Sequence, residues 1–293
     1  MTHYSVMLNE SINSLELKKG DIVVDCTVNR GGHAQAIAEL IGKTGTLIIF
    51  DLDLSALRSA QERLQKVSNG PRVIAIHSNY REIKKRLFEK KIFKVNKIFA
   101  DLGLSSQELE ESGRGFTFLK NEPLLMTYQS ELDKSTFTAT DLINNLNAVD
   151  LENIFKVYGG EAKARKIAQK IVEQRGILSQ NGESIDTTEK LVKIIEQVSR
   201  RTGKTHPATK VFQAIRIAVN DEFSGIKELI EDGYEILTEG GVMSIITFHS
   251  GEDRVVKQIF KSLGKSKKQK PSRQEVLTNK RSRSAILRTI KKK

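Results

Sequence analysis

Short, wholly apolar stretches alternate with helical patterns through the first hundred residues, and this alternation constrains the fold more than any other feature. IVVDC at 22–26, TLIIFD at 46–51, VIAIH at 73–77 and KIFADL at 97–102 are separated by helical patterns near 33–41, 54–66 and 81–90. Strands that take turns with helices build βαβ units and a parallel sheet. The strand runs are continuous rather than alternating in polarity, as expected when helices cover both faces of a sheet.

The strand signal stops between about 138 and 200. Leu151, Ile154, Phe155 and Tyr158 fall at helical spacing, as do Leu191, Ile194, Ile195 and Val198. Thr140 and Thr187 are placed to cap helices, and Gly159–Gly160 breaks them. Beyond this section one helix is predicted from about 207 to 237, then a Thr238–Gly241 turn, the strand VMSIITF, and a new helix capped by Ser250 with Asp253 three residues on. The predicted class is α/β: a doubly wound, mostly parallel sheet interrupted by a helical insert. Its boundaries are expected at 1–112 and 206–293 for the sheet domain and 113–205 for the insert.

Charge is concentrated at one end. Of a net +12, residues 264–293 carry twelve Lys or Arg against the single acid Glu275. Such a basic segment suits phosphate neutralisation, with a solvated tail as the alternative; within it, Ser284–Leu287 reads as a strand able to complete the sheet. The most apolar run, 241–248, is too short to span a bilayer, and no leader pattern opens the chain, so a cytoplasmic protein without a membrane partner is expected. Cys26, the only cysteine, lies in a strand run and reads as a buried thiol.

Parallel sheets bind ligands at the carboxyl ends of their strands, where strand order reverses. After the first strand, Asp25 to His33 contains Gly31–Gly32, which lets backbone approach a ligand just before a helix N-terminus. The second strand ends in Asp51-Leu52-Asp53, twenty residues past Gly31, where a carboxylate can bind the hydroxyls of a ribose. No third glycine follows as in G-x-G-x-x-G, so S-adenosylmethionine fits this turn better than a dinucleotide. The fourth strand ends at Asp101, the candidate catalytic group: a carboxylate there can hold the protons of a base amine and stabilise charge developing on its nitrogen. Thr209, Gln213, Arg216 and Asn220 form one polar stripe on an otherwise apolar helix and, with His249, are candidate substrate contacts. His33, His206 and His249 show no zinc-type spacing, and no metal is assigned.

These motifs together resemble the ribosomal-RNA cytosine N4-methyltransferases known as the RsmH or MraW family. The resemblance runs through His3 with Val6-Met7-Leu8, DCT and GGH by 33, DLD at 51–53, DLGLSS at 101–106, RGF at 114–116, YGGE at 158–161, HPATKVFQAIRI at 206–217, FHSGEDR at 248–254 and NKRSRSAILR at 279–288. It implies a class I methyltransferase core, S-adenosylmethionine as donor, and N4-methylation of a cytidine in the decoding region of 16S ribosomal RNA, as free RNA or within the small subunit. A homodimer is compatible with it. Cofactor contacts would fall on Gly31, Gly32, His33, Asp51, Tyr80, Asp101 and Glu108. The chain departs from the family pattern at Asn29 and Ser5, which stand for a glycine and a proline, and at Glu108, which stands for a glutamine. Leu125 and Gln129 stand where two acids are expected, and Gly251 replaces a leucine. The competing reading is an RNA-binding or ribosome-assembly protein that keeps the fold without catalysis.

Overall fold

The computed structural model describes residues 5–103, 112–129, 132–133, 135–199 and 206–293. The chain divides into two compact units, Met1–Gly103 with Phe223–Lys293 and Leu104–Glu222.

The first unit is built on a seven-stranded sheet: β1 Ile22–Asp25, β2 Thr46–Asp51, β3 Arg72–His77, β4 Val95–Asp101, β5 Leu237–Thr247, β6 Ser266–Gln269 and β7 Ile286–Lys291. Their order is β3-β2-β1-β4-β5-β7-β6; β3 to β5 are parallel, while β7 is antiparallel to both its neighbours. The order reverses between β1 and β4, which places the ligand-binding crevice at their carboxyl ends. The predicted doubly wound class is therefore correct.

Alternate residues of each strand face opposite sides and bury against different helices. On one side Val24, Ile48, Ile98 and Met243 pack under α4 (Ile83–Glu89), α10 (Glu222–Ile236) and α11 (Ser250–Leu263), whose Leu229 and Phe260 are fully buried. On the other, Val23, Leu47, Ile49 and Phe99 pack under α1 (Leu8–Leu15), α2 (Gly32–Ile41) and α3 (Leu54–Gln65), through Leu15, Ile37 and Leu64. Cys26 is buried and unpaired in a disulfide, and burial pushes its thiol well above the ordinary range.

The second unit is helical: α5 Ala139–Asn145, α6 Ala148–Val157, α7 Ala164–Gln180, α8 Thr188–Val198 and α9 Ala208–Asn220. Thr138 and Asp141 form a reciprocal cap on α5, and Thr187 caps α8 as predicted. The boundaries differ from those predicted. Because α9 buries Val211, Phe212, Ala214 and Ile215 in the helical core, residues 206–222 belong with the insert rather than the sheet. The single helix predicted over 207–237 is two helices. Asp221 between them is left-handed at φ 47°, and its N–H bonds the carbonyls of Ile217 and Ala218 to close the first. A short polar side chain tolerates that conformation, which the periodicity of the flanking residues does not reveal.

The basic C-terminal segment is folded, not a solvated tail. After β6 come α12 (Arg273–Thr278), a 3-10 turn at Lys280–Ser284, and β7, which completes the sheet two residues later than the Ser284 start suggested. β7 is fixed by a bidentate pair: Arg288 donates from Nε to Asp253 Oδ1 at 2.7 Å and from Nη2 to Oδ2 at 3.0 Å, with the side chains only 7% and 14% exposed. Removing one partner of a buried pair strands the other charge. Arg288→Ala should therefore destabilise the protein by about 3 kcal/mol in urea unfolding; a change under about 0.5 kcal/mol, the scale of an ordinary surface substitution, would show that β7 is not anchored this way.

Candidate active site at the carboxyl ends of the parallel strands

β1, β2 and β4 each end in an aspartate, Asp25, Asp51 and Asp101. The register pairs Asp25 with Ile49 and with Phe99, two positions before Asp51 and Asp101, so all three carboxylates leave the same face of the sheet.

Asp51 organises the turns around it. Its Oδ2 accepts from Asn29 N at 2.8 Å and its Oδ1 from Asp53 N at 2.9 Å, tying the loop after β1 to the loop after β2. Asp53 serves a different purpose, capping α3 through Ser55 N and Ala56 N. Asn29 adopts φ 47°, a left-handed conformation that asparagine tolerates better than most residues, so its replacement of a glycine leaves the turn intact. Gly31 has φ 74°, and a Cβ there would press to 3.3 Å on Ala60. A Cβ on Gly32 would collide with Ser5 Oγ, so the glycine lets the N-terminal segment close over the start of α2.

Asp25 and Asp101 are the electrostatically unusual pair. Asp25 is 1% exposed; its Oδ1 accepts from Thr27 N at 3.1 Å, while Oδ2 is buried without a partner among the described residues. Thr27 Oγ1 in turn accepts the Asp101 N–H at 2.6 Å, and Asp101 Oδ1 is likewise buried without a partner. Burial, and then the neighbouring Asp25 charge, pushes Asp101 up to about 7; Arg281 opposes the shift and Glu252 adds to it. Burial also raises Asp25 to about 7, with the Thr27 hydrogen bond opposing and Asp51 reinforcing.

His33 borders the same place, its ring tilted 48° to Phe99 at 4.6 Å between ring centres. Its Nε2 lies 3.0 Å from the Val6 carbonyl and its Nδ1 3.9 Å from Asp101 Oδ2. The second distance is no ion pair, because burial lowers His33 to about 4 and leaves it neutral near pH 7. A carbonyl can only accept, so Nε2 carries the proton and Nδ1 turns a lone pair towards Asp101.

Of the other candidates, Tyr80 starts a 3-10 turn beyond β3 and packs half-buried on the sheet core. Glu108 lies outside the described residues, as do His3 and the Leu104–Gln107 part of its motif. His249, rather than Ser250, is the N-cap of α11: its ring accepts from Glu252 N while Glu252 Oε2 accepts from Phe248 N at 2.7 Å. Asp253 pairs with Arg288 instead of capping. Gly251 lies against Phe223, whose Cζ would be 2.6 Å from an added Cβ, so leucine would not fit at this position without movement.

In the helical unit the polar stripe is divided. Arg216 donates from Nε at 2.8 Å and from Nη2 at 3.1 Å to Glu222. Asn220 donates from Nδ2 to the Met126 carbonyl at 2.7 Å and accepts from Tyr128 N at 2.8 Å. Tyr128 also donates its hydroxyl to Glu222 at 2.6 Å. These contacts hold the segment in which Leu125 and Gln129 replace the expected acids. Thr209 and Gln213 are half-buried and make no side-chain hydrogen bond among the described residues.

Residues 1–269 match the family described as the MraW methylase family. The chain belongs to this family. A relative from Clostridium botulinum (strain Loch Maree / Type A3), named ribosomal RNA small subunit methyltransferase H, is 40% identical over 99% of this chain and 98% of its own. Proteins of the same name from Clostridioides difficile, 37% identical over 99% and 98%, and Dictyoglomus turgidum, 40% identical over 98% and 96%, match end to end as well.

Sequence reasoning passed over Asp25, Thr27 and Arg281 as site residues, while Glu252, expected to cap, does so. Asp25 had a visible signal, since it ends its strand as Asp51 and Asp101 end theirs. Thr27 and Arg281 had none, because their influence on Asp101 depends on tertiary placement.

The two raised carboxyls set a pH dependence for this methylase. Each binds its proton more tightly folded than unfolded, so its contribution to stability is present below about pH 4 and lost as pH rises through about 7. Thermal stability of the free protein should fall across that window, and Asp25→Asn should flatten the fall; an unaltered slope in the variant would contradict the assignment. His33 acts oppositely, weakening the fold as pH falls from about 6.5 towards 4, so the comparison with the variant isolates the carboxyls.

Proposed function

We propose that this MraW-family methylase transfers a methyl group from S-adenosylmethionine to N4 of a cytidine in the decoding region of small-subunit ribosomal RNA, in the cytoplasm. The observation that carries the reading is the pair of buried, partnerless carboxylate oxygens of Asp25 and Asp101 at the strand-order switch, in a chain matched end to end by small-subunit ribosomal RNA methyltransferases.

The residues fit the donor. It supplies an electrophilic methyl carbon on a positively charged sulfur, and acceptor oxygens without donors favour a cation over a neutral ligand of the same shape. Gly31 and Gly32 shape the turn, with Ala60 and Ser5 packed against them, Asp51 is the acceptor for ribose hydroxyls, and His33 and Tyr80 are side walls. Glu108 is assigned here by its sequence motif alone.

Asp101 performs the chemistry on the acceptor side. The exocyclic amine of cytosine is a weak nucleophile because its lone pair is delocalised into the ring. Asp101 accepts one amine N–H, which concentrates electron density on nitrogen. As the C–N bond forms and the C–S bond breaks, the same carboxylate stabilises the positive charge on nitrogen and takes its surplus proton. A carboxyl poised near 7 can accept that proton and return it to water close to neutrality. The helical unit contributes substrate recognition, with Thr209 and Gln213 the free part of its stripe; Arg216, Asn220 and His249 act by holding the segments beside them.

With labelled S-adenosylmethionine and small subunits lacking the modification, the parent should transfer label to the RNA. Asp101→Asn should slow single turnover at saturating donor by about a hundredfold or more, and Asp51→Ala should weaken donor binding by roughly tenfold or more through lost charge-assisted hydrogen bonds. A parent that never labels the subunit would overturn the function, and an Asp101→Asn variant at parental rate would overturn the mechanism.

A further inference from the structure

Each face of the sheet is apolar where a helix covers it, but one face changes character towards the β6 edge. On the α1–α3 side the residues run from Val23 and Phe99 through Val242 and Ser244 to Thr289, Lys291 and Lys267. α1 covers this face only as far as Asn13, Ser14 and Glu16. Beyond it lies a groove of about 640 Å³, floored by β5, β7 and β6.

The groove is lined for anions. Lys265, Lys267 and Lys291 lie on its side of the sheet, while Lys268, paired with Arg288, turns to the other; the acid in the lining, Glu16, is already bound by Lys291 at 2.6 Å, leaving two lysines in excess. Lys267, Lys97 and Lys291 all act on Glu16, which is held below the usual carboxylate range mainly by its Lys291 hydrogen bond. Ser14 and Thr289 reach the floor, each hydrogen-bonded to the buried Ser244 beneath, at 2.8 and 3.1 Å. The groove therefore sets lysine cations beside two hydroxyls. Phosphodiester oxygens are matched by that combination. Lys97, in the row of Val242 and Lys291, lies four residues and roughly 13 Å along β4 from Asp101. The lining runs from that row to Leu287, two strands across from Asp101, so the groove flanks the reaction site without sharing a residue with it.

We infer that this groove binds the phosphodiester backbone of an RNA strand, and so constitutes a second RNA contact of the methylase. The inference rests on the proposed RNA substrate and adds to it a specific surface outside the reaction site. It narrows the role of the basic C-terminal segment to the lysines on the β6–β7 edge and makes α1 the opposite wall.

The test compares two variants with equal charge change in the full chain, Lys265→Glu/Lys267→Glu in the groove and Lys257→Glu/Lys261→Glu on α11. The probes are a fluorescent oligouridylate titrated over a range of salt, vesicles containing phosphatidylglycerol, and S-adenosylmethionine by calorimetry. The groove variant should bind the oligouridylate at least tenfold more weakly and lose roughly 1.4 from the salt slope, the share of two phosphate contacts on a single strand. The α11 variant should keep the parental slope, and both should bind the donor as the parent does, which reports an intact fold. Equal losses in both variants would reduce the effect to net charge and overturn the groove. Parental RNA affinity in the groove variant would overturn it too, and if vesicle binding alone were lost the surface would belong to a membrane. A parent that binds oligouridylate through the groove yet never methylates small subunits would support the groove while refuting the proposed reaction.

Discussion

Holding Asp25 away from water and Asp101 largely so, with its side chain 17% exposed, at the ends of adjacent parallel strands is the constraint around which the sheet unit is organised. A carboxylate so placed resists ionisation, and a neighbouring acid adds to the resistance, Asp51 acting on Asp25 and Asp25 on Asp101. The arrangement opposes folding above neutral pH, and the apolar layers on both sides of the sheet must outweigh it. What it provides is a place prepared for positive charge. Thr27 is the small device that holds it, its N–H bonding one carboxylate and its hydroxyl accepting the backbone N–H of the other.

The C-terminal segment does two things that its charge alone would not suggest. Arg288 faces the α11 side, where its guanidinium meets Asp253 and locks β7 to the helix. Thr289 and Lys291 face the opposite side with Lys267 of the neighbouring strand. One strand therefore closes the sheet with one face and presents charge with the other, as the two-residue period of a strand requires.

The parallel strands were legible because most are buried on both faces, which leaves continuous apolar runs; β6, the exposed SKKQ run, carries no such signal and was missed. Asp51 and Asp101 were legible for a topological reason, since the end of a parallel strand is where ligands bind. What stayed hidden depended on partners distant in sequence or on single backbone conformations. The break at Asp221 is one residue in the left-handed region inside an uninterrupted periodic pattern. Arg216 reads as a group free to face a substrate until the chain turns at that break and brings Glu222 against it. His249 displaced Ser250 as the cap because Glu252, not Asp253, reaches back to the backbone N–H groups of Phe248 and His249.

The central claim is that these carboxyls are protonated near neutrality until positive charge arrives, and it can be observed directly. Aspartate labelled with carbon-13 at the side-chain carboxyl, followed by NMR through a pH titration with Asp25→Asn and Asp101→Asn for assignment, reports both groups. The midpoints for the pair should lie near 7 in the free protein and fall when S-adenosylmethionine is added. Midpoints near 4 in the free protein, the ordinary value for an exposed aspartate, would contradict it.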